Sequence, residues 1–129
     1  RQEELARRFL GRADFAVVCG SVALASRALR AGADGFVPGG GNFVPALMRE
    51  LMDRLVAGDP AADAVQRRVD AINATYQKGR TISQLFAALK GILEIKGLCG
   101  RHVFPPLLPV SDAELESIRR ELAVAEATL

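Results

Sequence analysis

Only two short apolar runs in this chain can serve as strands. Asp14-Phe-Ala-Val-Val-Cys19 stops at Gly20-Ser21, and Ala33-Asp-Gly-Phe-Val-Pro38 stops at Gly39. Short apolar runs bounded by turn residues read as buried strands. Between them, Ser21 is placed to cap a helix over 22–31 and Gly32 to end it. The result is a β-α-β unit: two parallel strands joined by a right-handed crossover. Two parallel strands leave both outer edges unpaired and do not make a stable sheet alone, and parallel sheets are normally covered on both faces. The strands are therefore expected to pair with another chain, or the chain is the C-terminal part of a larger α/β protein. It opens on Arg1, already inside a helical pattern, rather than on Met, which favours the second expectation.

The remainder reads as helix. Arg1 to Leu10 is rich in helix formers, with Leu5 and Phe9 one turn apart and Gly11 as the stop. Leu47, Met48, Leu51, Met52, Leu55 and Val56 form one stripe, with Pro45 in the first turn and Gly58 at the end. Asp59-Pro60 reads as an N-cap followed by Pro at the first helical position; Val65, Val69, Ile72 and Tyr76 line the face that follows. Thr81 or Ser83 caps a helix burying Leu85, Phe86, Leu89, Ile92 and Leu93 and stopping at Gly97. Leu98 to Val110 is an irregular, Pro-rich crossing. Ser111-Asp-Ala-Glu114 is a capping box, with Val110 and Leu115 as its hydrophobic staple, opening a last helix through Leu115, Ile118, Leu122 and Ala125.

Composition excludes several function classes. The 129 residues suffice for one modest core, and a formal net charge of +2, with Arg pairs scattered at 7–8, 67–68 and 119–120, points away from nucleic acid. Two cysteines without a CxxC and a single histidine, His102, leave no zinc site and no metal. Reduced thiols in the cytoplasm are the default. No run approaches the roughly 20 apolar residues of a membrane span, and no signal peptide opens the chain.

In parallel α/β folds ligands meet the C-terminal ends of strands, here Cys19-Gly20-Ser21 and Val37-Pro38-Gly39. Phe36-Val-Pro-Gly-Gly-Gly-Asn-Phe-Val-Pro45 has the layout of an anion cradle at a helix N-terminus. However, no GK[ST] follows the glycines, the nearest downstream cation is Arg49, and Pro45 removes a donor from the helix turn. Cys19 and Tyr76 read as core, Ser21 as a cap and His102 as surface. Lys78, Lys90 and Lys96 lie in or beside helices, away from the strand end where a Schiff-base amine belongs.

The order of motifs then becomes recognisable. The stretch "DFAVVCGSVALASRALRAGADGFVPGGGNFVP" resembles the closing βαβα of the dihydrodipicolinate synthase / N-acetylneuraminate lyase family. "ALKGILEIKGL" resembles that family's penultimate helix, and "RHVFPPLLPVSDAELESIRREL" its Pro-rich crossing and final helix. The resemblance covers nearly the whole chain.

It implies an α/β fold: a (β/α)8 TIM barrel of which residues 1–58 are the last βα units, followed by a three-helix C-terminal extension over 59–129. It also implies a class I lyase or aldolase that forms a Schiff base between a strand-six lysine and pyruvate or a related 2-keto acid. That lysine, the proton-shuttling tyrosine and the carboxylate-binding threonine pair precede this stretch in the family, and Lys90 matches a helix lysine instead. No catalytic residue, cofactor or metal is therefore expected within the chain. Gly20 and Val37 match positions facing the keto-acid site, with Ser21 and Gly39 beside them toward the substrate's variable end. Sialic-acid lyases carry acidic residues where Val22 and Ala23 stand, which argues against a sialic-acid substrate. A dihydrodipicolinate synthase-like or a 2-keto-3-deoxy sugar acid aldolase or dehydratase parent stays open. Expected partners are the small 2-keto acid, the remaining N-terminal part of the barrel and further copies in a homotetramer, with no nucleic acid and no membrane. The alternatives are a non-enzymatic helical module that completes a partner's sheet and a phosphate-binding domain built on the Gly39–Gly41 loop.

Overall fold

The computed structural model describes residues 2–128. Among them the chain forms six α-helices, two 3₁₀ turns and one two-stranded parallel sheet. It divides into two compact units, Arg1–Asp70 and Ala71–Leu129. Among the described residues no helix is long and apolar enough to cross a membrane.

The first unit holds α1 (Gln2–Phe9), β1 (Val18–Cys19), α2 (Ala25–Arg30), β2 (Gly35–Phe36), α3 (Pro45–Val56) and the start of α4 (Ala62–Gln77). Both strands are shorter than their apolar runs, with Val18 opposite Gly35 and Cys19 opposite Phe36. Nor is β1 buried on both faces: Cys19 is buried while Val18 is 55% exposed and Phe15 47%. One face is covered by a core of small residues, Ala6, Cys19, Ala28 and Ala33, against which Val17, Leu24, Ala31 and Phe36 pack. Among the described residues no third strand pairs with this sheet, so both its outer edges lack a strand partner, and the face that carries Val18 is exposed.

The helix expected over 22–31 is split. Val22–Leu24 is a 3₁₀ turn and α2 begins only at Ala25. Ser21 stands at the N-cap of the turn, but its side chain makes no capping bond. Gly32 ends α2 at φ +97°, a left-handed conformation that glycine reaches without a Cβ penalty. In α1 the residue that buries is Ala6, while Leu5 is 42% exposed. Phe9 instead stacks on Phe15, ring centroids 4.5 Å apart. The α3 stripe buries Leu47, Met48 and Leu51, whereas Val56 at its end is exposed. Before α4, the Asp59 carboxylate accepts from the Ala61 amide at 2.8 Å, the bond an N-cap makes two residues on, with Pro60 where its missing N–H costs nothing.

The second unit holds the end of α4, then α5 (Ile82–Ile95) and α6 (Asp112–Glu126). Thr81, not Ser83, caps α5 in a reciprocal box with Gln84. The buried face of α5 is Ala87, Ala88, Gly91 and Ile92, and Phe86 is half exposed. Small residues win that face because α6 lies close: a Cβ on Gly91 would stand 3.1 Å from Leu115 Cδ1 and from Val110 Cγ2. Val110 and Leu115 thus meet α5 at the same point. The capping box of α6 is only half formed. Ser111 Oγ accepts from the Glu114 amide at 3.2 Å, but the Glu114 carboxylate accepts from Arg80 Nε at 3.2 Å instead of reaching back. A charge-assisted bond outcompetes one to a neutral amide. Ile118, Leu122 and Ala125 are buried as their spacing predicts. Arg101 to Val110 is irregular, with a cis Pro105–Pro106 bond.

Candidate functional site

The two strands end side by side. The Val37 amide donates to the Cys19 carbonyl at 2.9 Å, so Gly20 and Val37 leave the sheet together at its C-terminal edge. Asp34 sets this register twice: its amide donates to the Val17 carbonyl at 2.8 Å, and its carboxylate accepts from the Val17 amide at 2.7 Å. The Ala31-Gly-Ala-Asp-Gly35 run is thereby explained in physical terms. Gly32 turns the chain, Ala33 fills the core and Asp34 fixes the strand.

At this edge Gly20 faces open space, with nothing within 4 Å of where a Cβ would stand, and Val37 is 65% exposed. Ser21 is half-buried; its carbonyl accepts from the Leu24 amide at 3.1 Å and from the Cys19 thiol at 3.2 Å. Cys19 is thus a core residue with its S–H spent locally. Gly39 is half-buried and opens a 3₁₀ turn over Gly39–Asn42. Its carbonyl accepts from Asn42 Nδ2 at 2.9 Å.

That turn does not favour the anion cradle. The amides of Gly41, Phe43 and Val44 donate to the carbonyls of Pro38, Gly40 and Gly40. Arg49, the nearest downstream cation, is held by Asp53 at 2.8 Å, which raises the pKa of its guanidinium through that hydrogen bond.

The lysines lie in the second unit. Lys90 Nζ is 3.6 Å from the exposed Cys99 thiol, and Lys96 Nζ pairs with Glu126 at 2.5 Å. Tyr76 is buried, its hydroxyl donating to Asn73 Oδ1 at 2.7 Å, and His102 is exposed. Among the described residues no group of three His, Cys, Asp or Glu side chains could hold a metal ion.

One residue escaped the sequence reading. Gln66 on α4 holds the segment that follows Gly20: its Nε2 donates to the Val22 carbonyl at 3.1 Å, and its Oε1 accepts from Ser26 Oγ at 2.7 Å. Forty residues separate Gln66 from Ser26, so no local pattern announces it.

The sequence profile of the Dihydrodipicolinate synthetase family matches residues 3–125. No curated protein sequence matches the chain significantly. Among solved structures, dihydrodipicolinate synthase from Bacteroides thetaiotaomicron superposes with a TM-score of 0.86 at 26% identity, over 95% of this chain and 42% of that one. KD(P)GA from T. tenax gives 0.75 at 26% identity, over 95% and 42%. YagE, a prophage protein of the dihydrodipicolinic acid synthase family from Escherichia coli, solved in complex with pyruvate, gives 0.74 at 24% identity, over 87% and 37%. The chain thus spans about two fifths of the length of the structures it matches.

Proposed function

The chain belongs to the dihydrodipicolinate synthetase family, and from that membership we propose that it is the C-terminal portion of a (β/α)8-barrel lyase acting on pyruvate or a related 2-keto acid. In this reading β1 and β2 are barrel strands seven and eight, residues 1–58 close the barrel and residues 59–129 form a helical extension. The observation that carries it is the sheet itself: two parallel strands with no further neighbour among the described residues, with Val18 exposed on it and Val37 exposed just past its end. Such a sheet calls for more strands.

The chemistry of the whole barrel is aldol chemistry through an imine. A lysine amine adds to the C2 carbonyl of the keto acid and expels water. The protonated imine withdraws electrons from C3, so that a C–C bond there forms or breaks. No strand-end lysine stands in this chain, so the amine comes from the rest of the barrel. Gly20 and Val37 wall the keto-acid end, chiefly through backbone, and Ser21 and Gly39 border the variable end. Val22 is buried and Ala23 is small, which leaves no carboxylate there to meet the hydroxyls of a sialic acid. The working protein is a cytoplasmic homotetramer in this reading.

Borohydride reduction in the presence of pyruvate tests the proposal. The 129-residue chain gives no covalent adduct by mass spectrometry, whereas the assembled barrel traps one pyruvate on a strand-end lysine outside it. An adduct on Lys78, Lys90 or Lys96 overturns the assignment.

A further inference from the structure

In the first unit a pocket of about 310 Å³ is lined by Glu3 and Arg7 from α1 and by Arg27, Arg30 and Ala31 from the end of α2. The helix period brings them to one place, since residues three or four apart share a helix face. Three guanidinium groups thus meet one carboxylate. Glu3 is half-buried between two of them, its Oε1 2.6 Å from Arg27 Nη2 and its Oε2 3.6 Å from Arg7 Nη2. Arg30 Nη2 turns to Asp63 Oδ1 on α4 at 2.7 Å.

The backbone makes no demand on these guanidinium groups. The last carbonyls of α2 are taken by the amides that follow: Arg27 and Ala28 accept from Ala31, Leu29 from Gly32, and Ala28 again from Ala33. A guanidinium carries five N–H donors in a planar fork, and Glu3 meets one nitrogen of Arg7 and one of Arg27. Most of their donor capacity therefore faces solvent, and both side chains are largely exposed. Even with Asp63 counted, the cations outnumber the carboxylates three to two.

We propose that this pocket binds a small oxyanion of at least two negative charges, held by Arg7 and Arg27 in the place that Glu3 occupies. Glu3 marks the seat, because its carboxylate already faces both guanidinium groups there. A phosphate or a dicarboxylate brings more charge and more acceptor oxygens, and it can meet each arginine fork with two parallel bonds, which one carboxylate shared between two arginines does not. Glu3 is then a built-in competitor, and its displacement is part of binding. The pocket is at the small end for ligand pockets, which suits a compact anion. It lies at the C-terminal end of α2, whereas Gly20 and Ser21 precede the N-terminal end, so it is separate from the strand-end site. A nucleic-acid strand would call for a track of cations along its phosphates, and here they converge on one point.

Isothermal titration calorimetry of the 129-residue chain with inorganic pyrophosphate and, separately, with malonate tests this, with circular dichroism to verify that each variant folds. One equivalent of at least one of them binds, and the tighter arm tells phosphate from carboxylate chemistry. Arg7→Gln and Arg27→Gln each weaken binding about tenfold, the worth of a charged hydrogen bond. Glu3→Gln tightens it a few fold, because no carboxylate then has to leave, and the surface ion pairs it breaks contribute little to folding. Arg119→Gln, at an exposed cation on α6, leaves binding unchanged. Binding of neither anion overturns the proposal. So does equal weakening by Arg119→Gln, which would mark diffuse attraction to basic surface. Glu3→Gln without tightening overturns the displacement of Glu3 and with it the assigned seat.

Discussion

Gln66 caps a helix it does not belong to: its Oε1 lies 2.7 Å from Ser26 Oγ and 3.3 Å from the Ser26 amide nitrogen. The N-cap of α2 is Leu24, which has no side-chain acceptor to offer. Gln66 supplies one from α4, while its Nε2 donates to the Val22 carbonyl and to Asp70 Oδ1. Ser26 is buried, so Gln66→Leu strands its hydroxyl and amide without partners. The expected loss is about 1–3 kcal/mol of unfolding free energy, read by urea titration. Faster hydrogen exchange at the Ser26 amide accompanies it. Unchanged exchange there would mean that the Gln66 contacts do not hold the start of α2.

Gly32 and Gly11 separate backbone strain from crowding. Both adopt left-handed conformations, at φ +97° and +81°. A Cβ on Gly32 would stand 2.6 Å from Leu10 Cδ1, whereas one on Gly11 meets nothing within 4 Å. Leu10 is 66% exposed and its tip can swing away, so the clash is cheap. Gly32→Ala and Gly11→Ala are each expected to cost about 1–2 kcal/mol, the left-handed penalty. Removing the Leu10 side chain leaves the cost of Gly32→Ala unchanged. A large drop in the Leu10→Ala background would show that crowding, not backbone, sets it.

The contrast between these sites explains what could be read in advance. Helix ends are local: Gly58, Gly97, Thr81 and Ser111 act within a few residues and stood where their spacing placed them. The strand ends at Gly20 and Val37 followed from the β-α-β order, which fixes which edge a parallel pair presents. Burial was less legible. Phe15, Val18 and Phe86 lie in apolar patterns yet stay exposed, because a pattern says which face wants cover and not whether cover is present. Long-range polar contacts were not legible at all. Gln66 looks like any surface glutamine, and Glu114 completes a capping-box motif on paper while its carboxylate goes to Arg80. For the candidate site, Gly20, Ser21, Val37 and Gly39 stand at the strand ends that the β-α-β order marks and the family resemblance supplies the role expected of them, while Asp34 and Asn42, which shape the strand register and the turn after β2, needed coordinates.

Gly91 measures how closely α5 meets its neighbours. Its missing Cβ would sit 3.1 Å from Leu115 Cδ1 and from Val110 Cγ2. Alanine brings about 1 kcal/mol of helix propensity and asks those side chains to give by a few tenths of an ångström. Gly91→Ala is therefore expected to be close to neutral. Gly91→Val adds two methyl groups beyond the alanine Cβ where Val110 is already buried, and overpacking costs about 1–3 kcal/mol. Thermal denaturation of the two variants side by side decides the matter. Equal melting temperatures would mean that Val110 and Leu115 yield freely.

Acid sensitivity should trace in part to Asp59. The Ala61 amide, first, and then Arg54 Nη1 at 2.7 Å hold its carboxyl below the usual range. A carboxyl whose folded pKa is depressed binds more protons in the unfolded chain. Its stabilisation is therefore complete above the unfolded pKa, about 4, and is lost as pH falls through the lower folded value. Asp14, held down chiefly by Arg12, titrates in the same window. The contribution of Asp59 is accordingly read as a difference between variants. Urea midpoints measured near pH 6 and near pH 3 (about two units above and one below the unfolded value) should fall less for Asp59→Asn than for the parent chain. Arg54→Gln should keep most of the parent's fall, because the backbone amide is the larger cause. If Arg54→Gln flattens the profile as fully as Asp59→Asn, the guanidinium and not the Ala61 amide is what keeps Asp59 ionised.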